Sequence, residues 1–246
     1  MSIVTYNLWG LERWPEREPA LRQFCELIRP DVLCTQELKP ETRAVLDAAL
    51  PGHARVDDAF QGWSTESNIW WDGSLFELVA YGAEDVGIAR YPERRLFWAR
   101  LKVADRDRTV LVATVHFTDQ GTAEELGEGR TTRVAETNAT VRALGTLVGD
   151  GEPAVLTGDF NDALLPLGRL FRAGFRSCFG ALGQLPPPTM PAGIFRFGPG
   201  FASSFVLDWI VANRHARPVS ASSPHVYADH VPPSDHWPVQ AVYDIG

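Results

Sequence analysis

Acidic, amide and imidazole side chains recur in this sequence at the ends of short apolar segments. The residues in such positions are Asn7, Glu37, His116, Asp159, Asn161, Asp208, Asp235 and His236. Polar groups placed where several buried strands end are how a sheet directs a reactive cluster into one crevice. We therefore expect these residues, although far apart in the chain, to form a single site.

The residue types indicate the chemistry that such a site would support. Glu37, Asp159 and Asp235, with the amide oxygen of Asn7, are hard oxygen donors that suit Mg²⁺ or Mn²⁺. No cysteine and only two histidines accompany them, which argues against zinc. A divalent cation held by few carboxylates is typical of phosphoester hydrolysis, in which the metal neutralises charge on the phosphoryl oxygens. The two histidines would then transfer protons or contact the phosphate.

Each part of this pattern also has a purely structural interpretation. The stretch Gly158–Asn161 has the composition of an ordinary turn, because Gly, Asp and Asn dominate turns. His116 follows an apolar run and fits a core histidine equally well, and Ser234 with Asp235 fits the cap of a turn. Asp208 is harder to explain in this way, because a carboxylate buried inside an apolar strand is costly unless it is paired or bound to metal.

Short β-branched runs bounded by turn residues predict at least nine strands. They are Ile3–Tyr6, Asp31–Thr35, Asn68–Trp71, Leu75–Tyr81, Arg95–Val103, Thr109–Phe117, Ala154–Thr157, Phe205–Val211 and Val239–Ile245. The spacing of apolar residues predicts helices over Pro19–Ile28, Glu41–Leu50 and Gly129–Val148. The candidate site residues then lie at or beside the ends of strands.

The order of the predicted elements indicates the fold class. Strands and helices alternate at first, a meander of consecutive strands follows, and one helix separates the meander from the remaining strands. This order suits two sheets packed face to face with helices outside, and not a doubly wound parallel sheet. No repeat, linker or block of charge divides the chain, so we expect one domain over residues 1–246.

Composition excludes several classes of protein. The sequence has 23 Lys and Arg against 31 Asp and Glu, a net charge of −8, which disfavours extended, non-specific binding to DNA. No run approaches the roughly 18 apolar residues of a membrane helix, so we expect no membrane partner. Met1 leads directly into a predicted strand without a basic leader, which predicts a cytoplasmic protein. The three cysteines form no CxxC pair, which disfavours a disulfide framework or structural zinc.

Six short blocks, in order along the chain, resemble the endonuclease/exonuclease/phosphatase superfamily. They are Thr5-Tyr6-Asn7, Gln36-Glu37, Thr114-Val115-His116, Gly158-Asp159-Phe160-Asn161, Leu207-Asp208-Trp209-Ile210 and Ser234-Asp235-His236. The resemblance extends from Ile3 to Ile245. It implies the fold of that family, a four-layer α/β sandwich of two mostly antiparallel β-sheets packed face to face, with outer helices.

The resemblance also implies roles for the residues that would surround a metal and an attacking water. Glu37 matches the principal metal-binding glutamate, and Asn7 and Asp235 match its partners around the metal and the phosphate. Asp159 matches the aspartate that orients or deprotonates the water, with Asn161 beside it on the scissile phosphate. The implied cofactor is Mg²⁺ or Mn²⁺.

Two histidines complete the implied site. His236 matches the catalytic histidine, and Asp208 matches the carboxylate that orients it. His116 matches the second histidine of the deoxyribonuclease, sphingomyelinase and inositol-phosphatase branches, and not the tyrosine of the abasic-site endonucleases. Glu66 falls where some members carry a glutamate that orients this second histidine, although a single Glu before a strand is a common arrangement.

The implied function is a divalent-metal-dependent phosphoester hydrolase that uses in-line attack of an activated water on phosphorus, with phosphodiesters favoured. The alternatives are a phosphomonoesterase of a small phosphorylated metabolite, end processing like that of the tyrosyl-DNA phosphodiesterase branch, and a catalytically silent member that binds a phosphorylated ligand. The blocks Thr5–Leu11 and Pro233–Trp237 are similar to that branch. The expected partner is a phosphoester, either a small molecule or the end of a nucleic acid.

Candidate substrate-binding residues lie beside these motifs and in a long irregular segment, Pro186–Phe201. They are Trp9, Arg130, Arg133, Arg196 and Phe197. Long loops in compact domains are usually functional or mobile, and arginine suits a phosphoester because its planar fork pairs with phosphate. For each arginine the alternative is a solvated surface position, and for the phenylalanine it is a place over the core.

Overall fold

The computed structural model describes residues 1–88, 90–128, 131–192 and 204–246. Within these ranges the chain forms twelve strands in two six-stranded sheets. The strands are β1 (Ser2–Asn7), β2 (Val32–Gln36), β3 (His53–Arg55), β4 (Ile69–Asp72), β5 (Phe76–Glu84), β6 (Leu96–Val103), β7 (Thr109–His116), β8 (Ala154–Asp159), β9 (Arg176–Ser177), β10 (Asp208–Ala212), β11 (Arg217–Ser222) and β12 (Val239–Asp244).

Helices and short helical turns connect the strands. Those in the described ranges are α1 (Glu18–Ile28), α2 (Pro40–Ala49), α3 (Gly62–Thr65), α4 (Ala123–Glu128), α5 (Arg133–Leu147), α6 (Leu165–Arg172) and α7 (Cys178–Ala181). None of these helices combines the length and the apolar character needed to cross a membrane.

The two sheets repeat one pattern of strand pairing. The first sheet has the order β11-β12-β1-β2-β4-β3, and the second has the order β5-β6-β7-β8-β10-β9. Each sheet holds one parallel pair at its centre, β1 with β2 and β7 with β8, and its other neighbours are antiparallel. The prediction of two mostly antiparallel sheets is confirmed. Each parallel pair brings two strand ends to the same edge of its sheet.

Apolar side chains fill three layers between the sheets and the helices. Because successive side chains of a strand point to opposite faces, strands covered on both sides read as continuous apolar runs. Ile3 of the first sheet and Phe97 of the second belong to the buried cluster between the sheets. Tyr6 packs outward with Phe24 of α1, and Leu144 of α5 covers the outer face of the second sheet. The predicted four-layer sandwich is confirmed.

Two predicted elements begin later than the sequence indicates. The helix predicted over Gly129–Val148 is described from Arg133, and residues 129–130 lie outside the described ranges. The strand predicted from Phe205 begins at Asp208. The reason is that Thr189 Oγ1 accepts the N–H groups of Leu207 and Asp208 at 3.0 and 3.2 Å, which diverts this stretch from the sheet.

Candidate active site

The two central parallel pairs direct four of the predicted residues into one cleft. Asn7 and His116 are the last residues of β1 and β7, Asp159 is the last residue of β8, and Glu37 directly follows β2. Asp208 opens β10 opposite Asp159 in the antiparallel register. Strand topology therefore assembles the cluster that the sequence predicts.

The end of β8 can approach β7 this closely because residue 158 is a glycine. Gly158 has a φ of 145°, and a Cβ built on it would lie 1.9 Å from the carbonyl oxygen of Val115. No other residue fits there without moving the backbone. The glycine of the Gly158–Asn161 block therefore lets β8 pair closely with β7, and this pairing places Asp159 in the cleft.

Asp159 is the centre of the cleft. Its Oδ2 accepts a hydrogen bond from Asn7 Nδ2 at 3.0 Å, and its Oδ1 accepts one from the backbone N–H of Asn161 at 2.8 Å. The Nε2 atoms of His116 and His236 lie 3.5 and 3.9 Å from Oδ2. Burial alone would raise the pKa of the Asp159 carboxyl, but the two imidazoles outweigh it and the pKa is lowered. The carboxylate is therefore ionised at neutral pH.

His236 is braced by a buried carboxylate. Its Nδ1 lies 2.8 Å from Oδ2 of Asp208, which is 1% exposed, and this contact leaves Nε2 facing the cleft. Burial acts to lower the pKa of the His236 imidazole, but Asp208 and then Asp159 raise it well above its ordinary value. His236 is therefore suited to hold a proton in the cleft near neutral pH.

His116 is held in the same way, by a carboxylate that precedes β4 of the first sheet. Its Nδ1 lies 2.9 Å from Oε1 of Glu66, and Nε of Arg94 lies 3.3 Å from the same oxygen. Burial acts to raise the pKa of Glu66, but the hydrogen bond to His116 and the charge of Arg94 lower it. Arg94 also donates to the carbonyl of Phe117 at 3.1 Å and stacks over the ring of Tyr91.

Asn7 holds two carboxylates through its amide nitrogen. Nδ2 donates to Glu37 Oε1 and to Asp159 Oδ2, each at 3.0 Å, while Oδ1 accepts the backbone N–H of Trp9 at 2.9 Å. The sequence prediction uses the amide oxygen as a cation ligand. In the structure this oxygen accepts one backbone N–H and the amide nitrogen positions the two acids, and the role of Asn7 as a cation ligand stays a prediction.

Glu37 and Asp235 are the carboxylates best placed to hold a cation. Burial raises the pKa of Asp235 to about 6, with Glu37 and Asp159 adding to the effect against the opposing charge of His236. A half-buried carboxylate under this repulsion gains most from a nearby cation. The donors are carboxylate oxygens, as Mg²⁺ or Mn²⁺ requires, so the residues present fit such an ion.

A second set of potential ligand atoms is partly engaged in hydrogen bonds. Atoms of Asp159, Asp208 and His236 lie within 4.8 Å of one another. However, Asp208 Oδ2 and His236 Nδ1 are bonded to each other, and the N–H of Asp208 is bonded to Thr189. One oxygen of Asp208 and one nitrogen of His236 are thus used to orient the imidazole, while Asp208 Oδ1 has no hydrogen-bond partner among the described residues.

Two loops of the cleft are joined by one buried arginine. Arg17 is fully buried, and its guanidinium donates to the carbonyl of Leu8 at 2.9 Å and to that of Gly10 at 3.1 Å, beside Asn7. It also donates to the carbonyl of Pro233, in the loop that leads to Asp235 and His236. In the same loop, Ser234 Oγ donates to the carbonyl of Asn7 at 2.7 Å. These bonds set the position of the last two site residues relative to β1.

The cleft has a volume of about 490 Å³ and contains residues that sequence reasoning missed. The additional lining residues are Glu12, Lys39, Tyr91, Arg94, Asp119 and Met190. Lys39 Nζ donates to the carbonyl of Thr65 at 2.9 Å, and the hydroxyl of Tyr91 donates to Asp119 at 2.8 Å. No local motif marks these residues, because they belong to the site only through the packing of distant segments. Around Lys39, the local sequence Pro40-Glu41 indicates only the start of a helix and does not mark Lys39 as a site residue.

The substrate-binding candidates have different outcomes. Trp9 lines the cleft, as the sequence predicts. Arg133 does not: it is 4% exposed, donates to the carbonyl of Thr118 at 2.8 Å and pairs with Glu125 at 3.0 Å. Its position in the first turn of α5 turns it toward the protein, so its guanidinium is used in the fold. Arg130, Arg196 and Phe197 lie outside the described residues.

Comparison with known proteins adds to this geometry. A family model described as the endonuclease/exonuclease/phosphatase family matches residues 4–236. None of the curated proteins compared with the sequence matches it.

Solved structures share the fold at low sequence identity. D. rerio TDP2, complexed with a single-strand DNA product, is 17% identical with a TM-score of 0.81, over 99% of this chain and 98% of that one. A functionally unknown conserved protein from Enterococcus faecalis V583 is 20% identical with a TM-score of 0.79, over 99% of both chains. The mannosyl-6-phosphatase Bt3783 of Bacteroides thetaiotaomicron VPI-5482 is 18% identical with a TM-score of 0.76, over 99% of both chains.

Proposed function

The chain belongs to the endonuclease/exonuclease/phosphatase family, and on this premise we propose that its cleft hydrolyses a phosphoester by in-line attack of water on phosphorus. The observation that carries the proposal is one buried carboxylate, Asp159, faced by the Nε2 atoms of two imidazoles at 3.5 and 3.9 Å. Each imidazole is held on its other nitrogen by a further carboxylate. A core histidine without a function does not require this double bracing.

Asp159 orients the attacking water and accepts its proton. Its lowered pKa keeps it ionised, and Asn7 and the N–H of Asn161 fix both of its oxygens. The protonated imidazole of His236 stabilises the charge that develops on the phosphoryl oxygens, and His116, held through Nδ1 by Glu66, presents Nε2 to the same part of the cleft. Asn161 uses one N–H of its side-chain amide on the carbonyl of Phe117, and its second N–H remains to contact the phosphate.

Glu37 and Asp235 would hold the divalent cation, with Asn7 positioning Glu37. A bound Mg²⁺ or Mn²⁺ neutralises charge on the phosphoryl oxygens of the substrate. The protein's own side chains activate the water and stabilise the rest of the developing charge. No covalent intermediate is required.

The charges of the cleft favour a phosphodiester over a phosphomonoester. Its described lining includes six carboxylates, Glu12, Glu37, Glu66, Asp119, Asp159 and Asp235, against Lys39, Arg94 and the protonated His236. Arg94 is paired with Glu66, and Lys39 donates to a backbone carbonyl. A phosphodiester carries one negative charge and a monoester nearly two at neutral pH, so the diester meets less repulsion.

End processing of nucleic acid is a second candidate. It is supported by the two blocks that resemble the tyrosyl-DNA phosphodiesterase branch and by the similarity in fold to TDP2, whose structure holds a single-strand DNA product. A phosphomonoesterase has the parallel support of the fold shared with a mannosyl-6-phosphatase.

The test of the proposal is hydrolysis of bis-p-nitrophenyl phosphate and of p-nitrophenyl phosphate. We expect turnover with Mg²⁺ or Mn²⁺ that EDTA abolishes, and faster hydrolysis of the diester. Asp150→Asn, on an exposed turn, is the matched control and should behave as wild type. A lack of hydrolysis of both substrates with either metal, by folded protein, would contradict the proposal and favour a silent, ligand-binding member.

The cation site has a test that is independent of turnover. Mg²⁺ or Mn²⁺ should raise the melting temperature of wild type, because a cation relieves the repulsion between Glu37 and Asp235. Glu37→Gln should reduce this increase, and Glu77→Gln, exposed on β5, should retain it. An equal response of both variants would exclude Glu37 as a ligand.

A further inference from the structure

One part of the sequence is almost free of acidic residues. Residues 163–228 contain six arginines and a single acid, Asp208, which is buried and paired with His236. The arginines are Arg169, Arg172, Arg176, Arg196, Arg214 and Arg217. In a chain with 31 acids, this depletion gives a local positive potential to an otherwise acidic molecule.

The fold collects much of this segment along one side of the sandwich. Strands β9 and β11 are the outer strands of the two sheets, and α7 contacts both of them. Arg176 lies in β9, Arg217 in β11, and Arg214 in the turn between β10 and β11. These three arginines line one groove of about 430 Å³. Phe171 lies under the guanidinium of Arg176, and Arg172, Leu185 and Val219 lie within four residues of Phe171, Ala181 and Pro218 in the sequence. We call the groove with Phe171, Arg172, Leu185 and Val219 the edge patch.

Most of the positive charge in the edge patch is uncompensated. Arg217 pairs with Asp244 at 2.8 Å. Among the residues that the structure describes, no carboxylate pairs with Arg172, Arg176 or Arg214. The guanidinium of Arg176 instead stacks 3.7 Å from the centroid of the Phe171 ring, and Arg214 Nε donates to a ring nitrogen of its neighbour His215 at 3.2 Å.

Large apolar side chains of the edge patch are exposed. Leu185 is 92% exposed, Val219 is 56% exposed at the bulge of β11, and Phe171 is 52% exposed. Two of the three are aliphatic, so they offer no ring on which a nucleic-acid base could stack. Transfer of these apolar side chains from water into a hydrocarbon phase is favourable.

We propose that the edge patch docks on the surface of a bilayer that contains anionic lipids. Uncompensated arginines pair with lipid phosphates, and the exposed apolar side chains enter the boundary between headgroups and acyl chains. The sequence predicts no membrane partner because that prediction rests on a continuous apolar run. A patch assembled from α6, β9 and β11 leaves no such run.

Docking at the edge patch leaves the catalytic cleft accessible. Strand β10 begins at Asp208, which is bonded to the cleft residue His236, and ends at Ala212 in the groove, which separates the two by roughly 13 Å of strand. No residue of the edge patch lines the cleft. The inference therefore does not depend on the proposed hydrolysis.

Vesicle sedimentation of the full chain without divalent metal tests this inference. Wild type should bind vesicles of phosphatidylcholine with phosphatidylglycerol, should not bind phosphatidylcholine alone, and should bind less as salt increases. Leu185→Ser and Arg214→Gln should each lower the partition coefficient by roughly threefold to tenfold. Leu126→Ser on α4, 77% exposed in wild type, and Arg142→Gln on α5 are the matched controls and should bind as wild type. All four sites are exposed, and unchanged melting temperatures would show that the variants fold.

Several results would overturn the inference. They are a lack of binding to anionic vesicles, equal binding to zwitterionic vesicles, and equal losses in the control variants. Binding of a single-stranded oligonucleotide that the same substitutions abolish, without vesicle binding, would assign the patch to nucleic acid. Self-association that these substitutions abolish, again without vesicle binding, would assign it to a second copy of the chain.

Discussion

At the scale of single residues, Thr189 shows how a buried neutral side chain can determine the geometry of a charged pair. It is fully buried, and its Oγ1 accepts the N–H groups of Leu207 and Asp208. Its carbonyl accepts the N–H of Trp237, next to His236, at 2.7 Å. Thr189 therefore touches the backbone on both sides of the Asp208–His236 pair and sets the distance between them.

Replacing Thr189 by valine should lower kcat by about tenfold with little change in KM. Valine keeps the shape but leaves two buried N–H groups without an acceptor, at a cost of about 1–3 kcal/mol, so the segment that carries Asp208 shifts. Thr189→Ser keeps the acceptor and should restore most of the activity. Steady-state kinetics on bis-p-nitrophenyl phosphate make the comparison, and equal activity of the valine and serine variants would remove Thr189 from the positioning of the pair.

The individual acids, amides and imidazoles of the cleft were predictable because each follows or opens an apolar strand within a recognisable block. The residues that brace them were not. Arg94 pairs with Glu66 only after β4 and β6 are in place, and Thr189 reaches Asp208 across a long irregular segment. The burial of Arg133 was also unpredictable, because its partners Thr118 and Glu125 lie on the preceding loop and helix.

At the scale of elements, the close pairing of β7 with β8 determines whether His116 and Asp159 can meet. Gly158→Ala should cost more than about 3 kcal/mol, since the new Cβ would lie 1.9 Å from the Val115 carbonyl at an unfavourable φ. Gly145→Ala is the matched control, because this glycine lies within α5 with open space around it. The control should gain about 0.5–1 kcal/mol. Urea unfolding measures both values, and a neutral Gly158→Ala would show that the strands have room to separate.

Strands with strong apolar runs were predicted well, and weakly patterned elements were missed. The elements absent from the prediction are β3, β9, β11, α3, α4, α6 and α7. Strand β11 is an exposed edge strand that contains Pro218, and α6 carries Pro166 and Gly168 within eight residues. Such elements form through contacts with the completed sandwich, so local propensity does not indicate them.

At the scale of the whole molecule, one buried carboxylate joins two strands of the second sheet to the turn before β8, at the end of the sandwich away from the cleft. Glu152 precedes β8 and accepts hydrogen bonds from Arg100 of β6 at 2.8 Å, from Thr109 of β7 at 2.7 Å and from the N–H of Gly149 at 2.9 Å. Burial acts to raise the pKa of Glu152, but these three donors lower it. Because the pKa of Glu152 is lower in the folded than in the unfolded protein, these hydrogen bonds stabilise the fold at pH values above the ordinary Glu pKa. This stabilisation is lost as the pH falls through the folded value.

Glu152→Gln should therefore lower the free energy of unfolding by about 1–3 kcal/mol at neutral pH. The difference from wild type should shrink below about pH 4, where the unfolded glutamate is protonated. Glu26→Gln, exposed near the end of α1, is the matched control and should change stability little at either pH. Urea unfolding at pH 7 and at pH 3.5 makes the comparison, and a difference that stays constant with pH would contradict the assignment.

The two-sheet architecture was predictable from the order of the elements, since a meander of consecutive strands cannot form a doubly wound parallel sheet. The organisation of residues 1–246 as one domain stays a prediction. The edge patch could not be predicted as a surface, because its arginines and apolar residues become neighbours only when β9 and β11 are placed on one side of the sandwich.

The central claim is that Asp159, held between two imidazoles, activates the water that attacks phosphorus. The measurement that tests it most directly is kcat of Asp159→Asn on bis-p-nitrophenyl phosphate with saturating Mg²⁺, purified in parallel with wild type and Asp150→Asn. Asparagine keeps the size and the hydrogen bond from Asn161 but cannot accept the proton of water. We expect a loss of about a hundredfold or more with an unchanged circular dichroism spectrum. Turnover near the wild-type value would contradict the claim.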